Sequence, residues 1–240
     1  MIGLNDKALF LKDFIFTIAD HNINVVENIL KFNHTQLKEY NQLLDYFKNT
    51  HESNVPSSEK GKALETIVRF IFEETGIFDV FPNICTSSNE IDILVRLNKH
   101  GNFFKRQGLI DFEDYLIAEC KNYNNKISAT WVGKFYCLMK YTSNNLGIIF
   151  SYYGLSGKNW NDAVGLTKKI KLMEKDTFII DFNYNDFVQL SKGKDFVTII
   201  KNKMFNLKND TSIQNFLSPH PNQEKFKQII DNFTHSNVNN

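Results

Sequence analysis

Apolar positions recur at helical spacing through the first fifty residues. Leu9, Phe10, Phe14, Ile15 and Ile18 begin the pattern, and Val25, Val26, Ile29, Leu30, Leu37, Leu43, Leu44 and Phe47 continue it. It predicts helices over 7–48, with a break or cap near Asn22 and Asn24. The polar stretch 50–58, which contains Pro56, reads as a linker and sets residues 1–56 apart as an N-terminal helical appendage. A second stripe, Leu64, Ile67, Val68 and Ile71, predicts a helix capped by Ser57 or Ser58, running through Thr75 and ended by Gly76. Short strand-like runs then cover 78–81, 91–97, 115–121, 147–152 and 178–182. Helical patterns separate the later ones, at 129–141 and 159–173, and two more pieces follow at 186–190 and 195–207. The tail, 216–240, carries one weak helix near 223–232.

From residue 57 to 215 the order is thus α-β-β-β-α-β-α-β. Strands in direct succession form hairpins, and strands alternating with helices form parallel crossovers. The expected fold class is α/β, with a mixed sheet flanked by helices. The connection 98–114 is long for a hairpin loop, and loops of that length carry function or structure of their own.

Composition narrows the class further. With 42% hydrophobic and 23% charged residues, the 240-residue chain matches an ordinary globular protein, which excludes disorder and collagen-like repeats. No apolar run approaches the roughly 20 residues of a spanning helix, and Lys7, Lys12 and Asp13 interrupt the start of the chain, so neither a membrane partner nor a signal peptide is expected. Three scattered cysteines point to reduced thiols and a cytoplasmic location. No Cys or His pair has zinc-ligand spacing. The net charge of +1 leaves room for a local basic surface.

Two of the strands carry acids where apolar residues belong: Glu90-Ile91-Asp92-Ile93-Leu94-Val95 and Leu116-Ile117-Ala118-Glu119-Cys120-Lys121. Strand alternation makes Glu119 and Lys121 point one way and Ala118 and Cys120 the other. If the two strands are neighbours, Asp92 sits beside Glu119. Two such carboxylates repel unless one protonates or a cation lies between them. A divalent cation suits the pair, because magnesium takes carboxylate, water and phosphate oxygens. Such an ion lowers the pKa of a bound water, and Lys121 then stands where charge develops on a phosphorus centre. Glu65, on the helix over these strands, is a further ligand directly or through water. Its bland reading is an i,i+4 pair with Arg69.

These residues carry a resemblance. Asp92 followed by Glu119-Cys120-Lys121 resembles the PD-(D/E)xK nuclease signature. The flanks GKALETIVRFIFEETGIFDV, NEIDILV and YLIAECKNY resemble the first helix, the aspartate strand and the (E/Q)xK strand of its Mrr-like restriction endonuclease branch, and LGIIFSYYGLSGKNWNDAVG with TFIIDFNYNDFVQL resembles its closing strand-helix-strand. The similarity covers roughly 60–192. It implies a restriction-endonuclease-like core with a mixed four- to five-stranded sheet, and Mg2+-dependent hydrolysis of DNA that leaves a 5′-phosphate, with Mn2+ as a substitute. Asp92 and Glu119 match the metal positions, Lys121 the catalytic lysine and Glu65 the helix glutamate. The sequence departs from the branch in its Ser87-Ser88-Asn89-Glu90 lead-in, in a glutamate where many members have glutamine, and in the extra acid Glu90.

The resemblance further implies a role in restriction or phage defence, as a homodimer or within a larger defence complex. Lys126 and Lys134, flanking the helix after the ExK strand, are the better candidates for backbone contacts. Lys105 and Arg106 in the long connection, and Ser151 at a strand end, complete the candidate nucleic-acid set. Lys168, Lys169, Lys171 and Lys175 suit a helix C-terminus, and Trp131 and Trp160 suit the core. The alternatives are a non-catalytic nucleic-acid-binding or assembly module of the same fold, or a nuclease acting on RNA.

Overall fold

The structure, a computed structural model, describes residues 30–85, 90–157 and 161–211, together with Asp13 and Phe16. The expected helices before residue 30, the lead-in 86–89, Trp160 and the tail helix lie outside these residues. Twelve elements follow in chain order: α1 (His34–Glu52), α2 (Ser57–Glu74), β1 (Phe78–Cys85), β2 (Glu90–Leu97), α3 (Lys99–Arg106), β3 (Tyr115–Lys121), α4 (Ala129–Tyr141), β4 (Leu146–Ser151), α5 (Ala163–Met173), β5 (Phe178–Phe182), α6 (Tyr184–Ser191) and α7 (Phe196–Asp210).

The five strands form one mixed sheet in the order β1-β2-β3-β4-β5. β1, β2 and β3 are antiparallel, and β3, β4 and β5 are parallel, joined by crossovers through α4 and α5. This is the α/β fold expected from the element order, with helices on both faces, and it is consistent with a restriction-endonuclease-like core. The alternation of side chains along the strands divides the core in two. Leu116, Ala118 and Cys120 of β3, Ile148 and Phe150 of β4, and Ile180 and Phe182 of β5 join a large layer with Leu64, Ile67 and Phe72 of α2 and Phe187 and Phe196 of the last two helices. Ile117, Ile149 and Ile179 face the other way, against Val132, Phe135 and Met139 of α4 and Ile170 of α5. β4 is buried along its whole length, which a strand covered on both faces requires.

Several boundaries differ from the sequence reading: β1 runs on to Cys85, and α5 begins only at Ala163. α2 begins at Ser57 with Pro56 in the capping position, so neither serine caps it by a side chain. Pro56 has the fixed φ that starts a helix, and its carbonyl accepts the amides of Glu59 and Lys60. α1 runs on to Glu52, which shortens the linker to 53–56. Its start is set by a capping box in which Asn33 and Gln36 bond each other's backbone amides. The connection 98–114 contains α3, so Lys105 and Arg106 sit on a helix rather than in a loop. Asn98 caps it by accepting the amides of His100 and Gly101. Gly101 disguised this helix in the sequence, yet it is needed there: a Cβ at that position would run into the Ile77 carbonyl.

α1 shares the main core with the sheet. Tyr40 and Phe47 are fully buried, the Tyr40 hydroxyl donates to the Phe187 carbonyl at 2.8 Å, and the Phe47 ring lies 5.4 Å from that of Phe187. Phe47→Ala is expected to lower stability by about 3–5 kcal/mol, while Tyr46→Ala on the exposed face shifts it by no more than about 0.5 kcal/mol. Urea titration of both variants checks this, and a neutral Phe47→Ala would show that α1 is dispensable to the core.

Candidate active site at the ends of strands β2 and β3

The site begins with an irregularity in the hairpin. The β1–β2 ladder skips the pair Asn83–Asp92. Asn83 adopts a left-handed backbone, with φ at 52°, a conformation that asparagine tolerates better than most residues. On one side of this point Val80, Ile93 and Val95 belong to the large core layer, and on the other Ile84 and Ile91 belong to the second. The ribbon therefore rolls over at Asn83 and Asp92. The β2–β3 ladder stops there as well: its last pair is Ile93 with Ala118.

Asp92 fills the opened ladder with its side chain. Its Oδ2 accepts the backbone amide of Cys120 at 2.7 Å. The same oxygen lies 3.5 Å from Lys121 Nζ, and that ammonium lies 2.7 Å from Glu119 Oε1. The three side chains are only 14–19% exposed. Asp92, Glu119 and Lys121, separated by up to 29 residues, thus meet in one half-buried cluster. Glu119 and Lys121 point the same way and Cys120 the opposite way, as strand alternation requires.

Burial opposes the charge on Lys121, but the Glu119 carboxylate and then Asp92 outweigh it and hold the lysine well above its ordinary value. Lys121 is therefore an ammonium at any neutral pH. Its contribution to stability is fully present below the unfolded value of about 10.4 and is lost only as pH climbs through the raised one. Cys120 lies behind the cluster. Burial raises its thiol pKa first, and the carboxylates of Asp92, Glu65 and Glu119 add to that. Glu65 thereby stands within electrostatic reach of the same strand end. Arg69, its candidate helix partner, is bridged to Glu73 at 3.1 Å.

Two carboxylates with hard oxygen donors fit a magnesium ion, which binds through one or two carboxylates and keeps several waters. Among the described residues, no three His, Cys, Asp or Glu side chains gather closely enough to hold an ion by themselves. A hard ion here would rest on Asp92 and Glu119, with Glu65 reaching it through water and substrate oxygens completing the shell. Glu90 begins β2, and its side chain lies outside the described residues.

The basic candidates separate. Lys126 is exposed on the turn between β3 and α4, and Lys134 is exposed on α4 with its ammonium 4.7 Å from the centre of the Trp131 ring. Both lie on the Lys121 side. Lys105 does not, because it is tied to Asp114 at 2.7 Å beside the opposite end of β3. Six strand steps of about 3.3 Å put that end about 20 Å from Lys121. Arg106 follows Lys105 on α3, and the cleft of about 620 Å³ at this end is lined by Lys105, Asp114 and Tyr115. Ser151 is the β4 neighbour of Lys121 in register. It is buried, and its hydroxyl accepts the Gly154 amide at 2.9 Å, so it closes the turn after β4. Of the α5 lysines, Lys168 pairs with Asp210 at 3.0 Å and Lys171 is buried against the Phe178 ring.

A polar brace behind the site escaped the sequence reading. Asn122, next to Lys121, donates to the Lys60 carbonyl at 2.7 Å, and its Oδ1 lies 2.6 Å from His51 Nδ1. Lys60 donates to the His51 carbonyl at 2.8 Å. The His51 ring stacks on Tyr152, with centroids 3.7 Å apart. Contacts between residues 51, 60 and 122 have no local spacing that would announce them. Comparison with family models, with curated proteins and with solved structures finds no match to this chain.

Burial, more than any other influence, lowers the His51 pKa. As pH falls below about 6.5, the unfolded chain takes up the proton first, so the folded state loses stability on the acid side. His51→Gln removes that loss, and urea midpoints between pH 7.5 and 5 should fall less steeply than in wild type. Lys121→Met leaves two half-buried carboxylates without their cation, a loss on the order of 3 kcal/mol. Millimolar magnesium should raise its melting temperature more than that of wild type. No shift in either protein would mean that Asp92 and Glu119 do not form a cation site.

Proposed function

We propose that this chain is a metal-dependent endonuclease of the PD-(D/E)xK superfamily, close to the Mrr-like restriction branch, and that it hydrolyses phosphodiester bonds of DNA. The observation that supports this reading is the convergence of Asp92, Glu119 and Lys121 where β2 and β3 part, with Lys121 Nζ 3.5 Å from Asp92 and 2.7 Å from Glu119. A solvated surface ExK triplet would not be half-buried, nor would an aspartate from another strand be locked to the amide between its glutamate and lysine.

Each side chain has a distinct task in this reading. Asp92 and Glu119 hold Mg2+, or Mn2+ in its place. When bound, such an ion neutralises substrate charge and makes a coordinated water more acidic. Lys121 keeps its proton, so it acts as a donor to a phosphate oxygen or to the attacking water oxygen, not as a base. The amide of Cys120 fixes the Asp92 carboxylate, and Asn122 and Lys60 fix the segment that leaves the lysine. Water oxygen joins phosphorus, the bond from phosphorus to O3′ breaks, and O3′ departs with a proton, leaving a 5′-phosphate. Lys126 and Lys134 lie where the phosphate backbone would pass, and such contacts make affinity fall with salt. Lys105 and Arg106 belong to another surface. A restriction or phage-defence role in the cytoplasm, and work as a homodimer or within a larger complex, accompany this reading as the habits of the branch it resembles.

One observation favours a second reading, a nucleic-acid-binding or assembly module without catalysis. Lys121 already lies within ion-pair distance of both carboxylates, and an ammonium shared in this way relieves their repulsion without a metal. A cleavage assay separates the two. Supercoiled DNA, linear DNA and RNA are incubated with wild type, Asp92→Ala and Lys121→Ala in magnesium, manganese or EDTA. The expected result is metal-dependent cleavage of DNA by wild type, with each variant slower by about 100-fold or more. Equal product from all three proteins would reject the site assignment, cleavage of RNA alone would change the substrate, and no product from wild type would favour the binding module.

A further inference from the structure

An aromatic step stands beside the cluster. Tyr123 follows Lys121 by two residues and is 38% exposed. Its ring leans on Trp131, in the first turn of α4, with centroids 5.8 Å apart and planes 45° apart. Trp131 is partly buried and packs on the second core layer, so it backs the Tyr123 ring. The two ammonium groups of Lys121 and Lys134 lie 5.3 and 4.7 Å from the centre of the Trp131 ring. Lys126 is exposed on the turn between the two aromatic residues.

Lysines interleaved with a packed, partly exposed aromatic pair match the way single strands are held: cations follow the phosphates while an aromatic ring takes the face of a base. Base faces inside an intact duplex are covered by their neighbours and reach a side chain only after unstacking, which costs a few kcal/mol. Other exposed tyrosines are placed differently. Tyr115 starts β3 at its far end, and Tyr153 packs edge-on against His51. Tyr123 is joined through Trp131 to the lysine of the proposed site.

We propose that Tyr123, propped by Trp131, is a stacking subsite for one unpaired nucleobase next to the scissile phosphate, so that the protein takes single-stranded or frayed DNA in preference to intact duplex. The identity of the ligand as DNA rests on the reading of the site as a nuclease. The stacking geometry stands on the aromatic pair itself. The subsite also accounts for an exposed phenol ring at a position where a polar side chain would serve a solvated turn equally well.

The test is binding in EDTA, where cleavage plays no part. Fluorescence anisotropy of a labelled 15-nucleotide single strand is compared with that of a blunt hairpin duplex of the same sequence, for full-length wild type, Tyr123→Ala and Tyr123→Phe. Wild type should prefer the single strand by about tenfold or more, Tyr123→Ala should bind it about 5- to 100-fold more weakly, and Tyr123→Phe should retain it, because the ring and not the hydroxyl stacks. Equal binding of duplex and single strand, or unchanged affinity in Tyr123→Ala, would overturn the subsite. Tyr123→Phe keeps the packing on Trp131, so a loss shared by both variants would also overturn it. The outcomes separate from those of the cleavage assay. Metal-dependent cleavage with binding indifferent to Tyr123 rejects the subsite alone. Binding that depends on Tyr123 without metal-dependent cleavage rejects the nuclease reading alone.

Discussion

One ammonium group holds together the corner where β2 and β3 part. Lys121 lies between two carboxylates supplied by adjacent strands, and without it Asp92 and Glu119 would face each other across a half-buried gap. Burial works against all three charges, and their mutual attraction, with the Cys120 amide on Asp92, offsets part of that cost. Such a set holds one cation of its own, and its two carboxylates against one ammonium leave negative charge that suits a second, harder one. That double suitability is the physical basis for reading it as a metal-assisted site. It is also why the lysine, and not either acid, most directly tests what the carboxylates are for.

The rest of the fold places that cluster. A strand buried on both faces has no room for charge along its length, so acids and lysines collect where the ladder ends. Here the ladder ends because the β1–β2 ribbon rolls over at Asn83, and Asp92 turns its carboxylate to the freed amide of Cys120. β4 then lies beside β3 in register, with Ser151 opposite Lys121, and the turn after β4 is closed by the serine hydroxyl. On the other side α1 and α2 reach the same corner through His51, Lys60 and Asn122. The first described helix is therefore joined to the site twice, by its buried aromatic face and by this brace.

The functional reading rests on side-chain geometry and chemistry, and on a motif resemblance that the geometry accommodates. Folds of this class host many activities, and the fold alone would say little. Position within it says more. The proposed site occupies the end of β3 where the parallel half of the sheet meets the antiparallel half, whereas the cleft beside Lys105 lies at the other end among residues already paired.

Much of the architecture was legible from residue patterns. The runs at 91–97, 115–121 and 178–182 were strands because their apolar residues are too short a series for a helix and are bounded by turn residues. The order of strands and helices sufficed for a mixed sheet. The helix α3 was missed because Gly101 reads as a loop residue unless the close approach of Ile77 is known. Asp92, Glu119 and Lys121 could be singled out in the sequence because charge inside apolar strands is costly enough to need a reason. Lys105, Arg106 and Ser151 show the limit of that logic: composition marks a residue as able to bind phosphate, and only packing decides which surface it occupies. The sequence by itself determined the element types apart from α3, and the three charged residues, since periodicity and the cost of burying charge act locally along the chain. The tertiary structure alone decided that these charges share one corner with Tyr123 and Trp131 and are braced by His51 and Asn122, because such meetings depend on strand register and helix docking, which no spacing along the chain encodes.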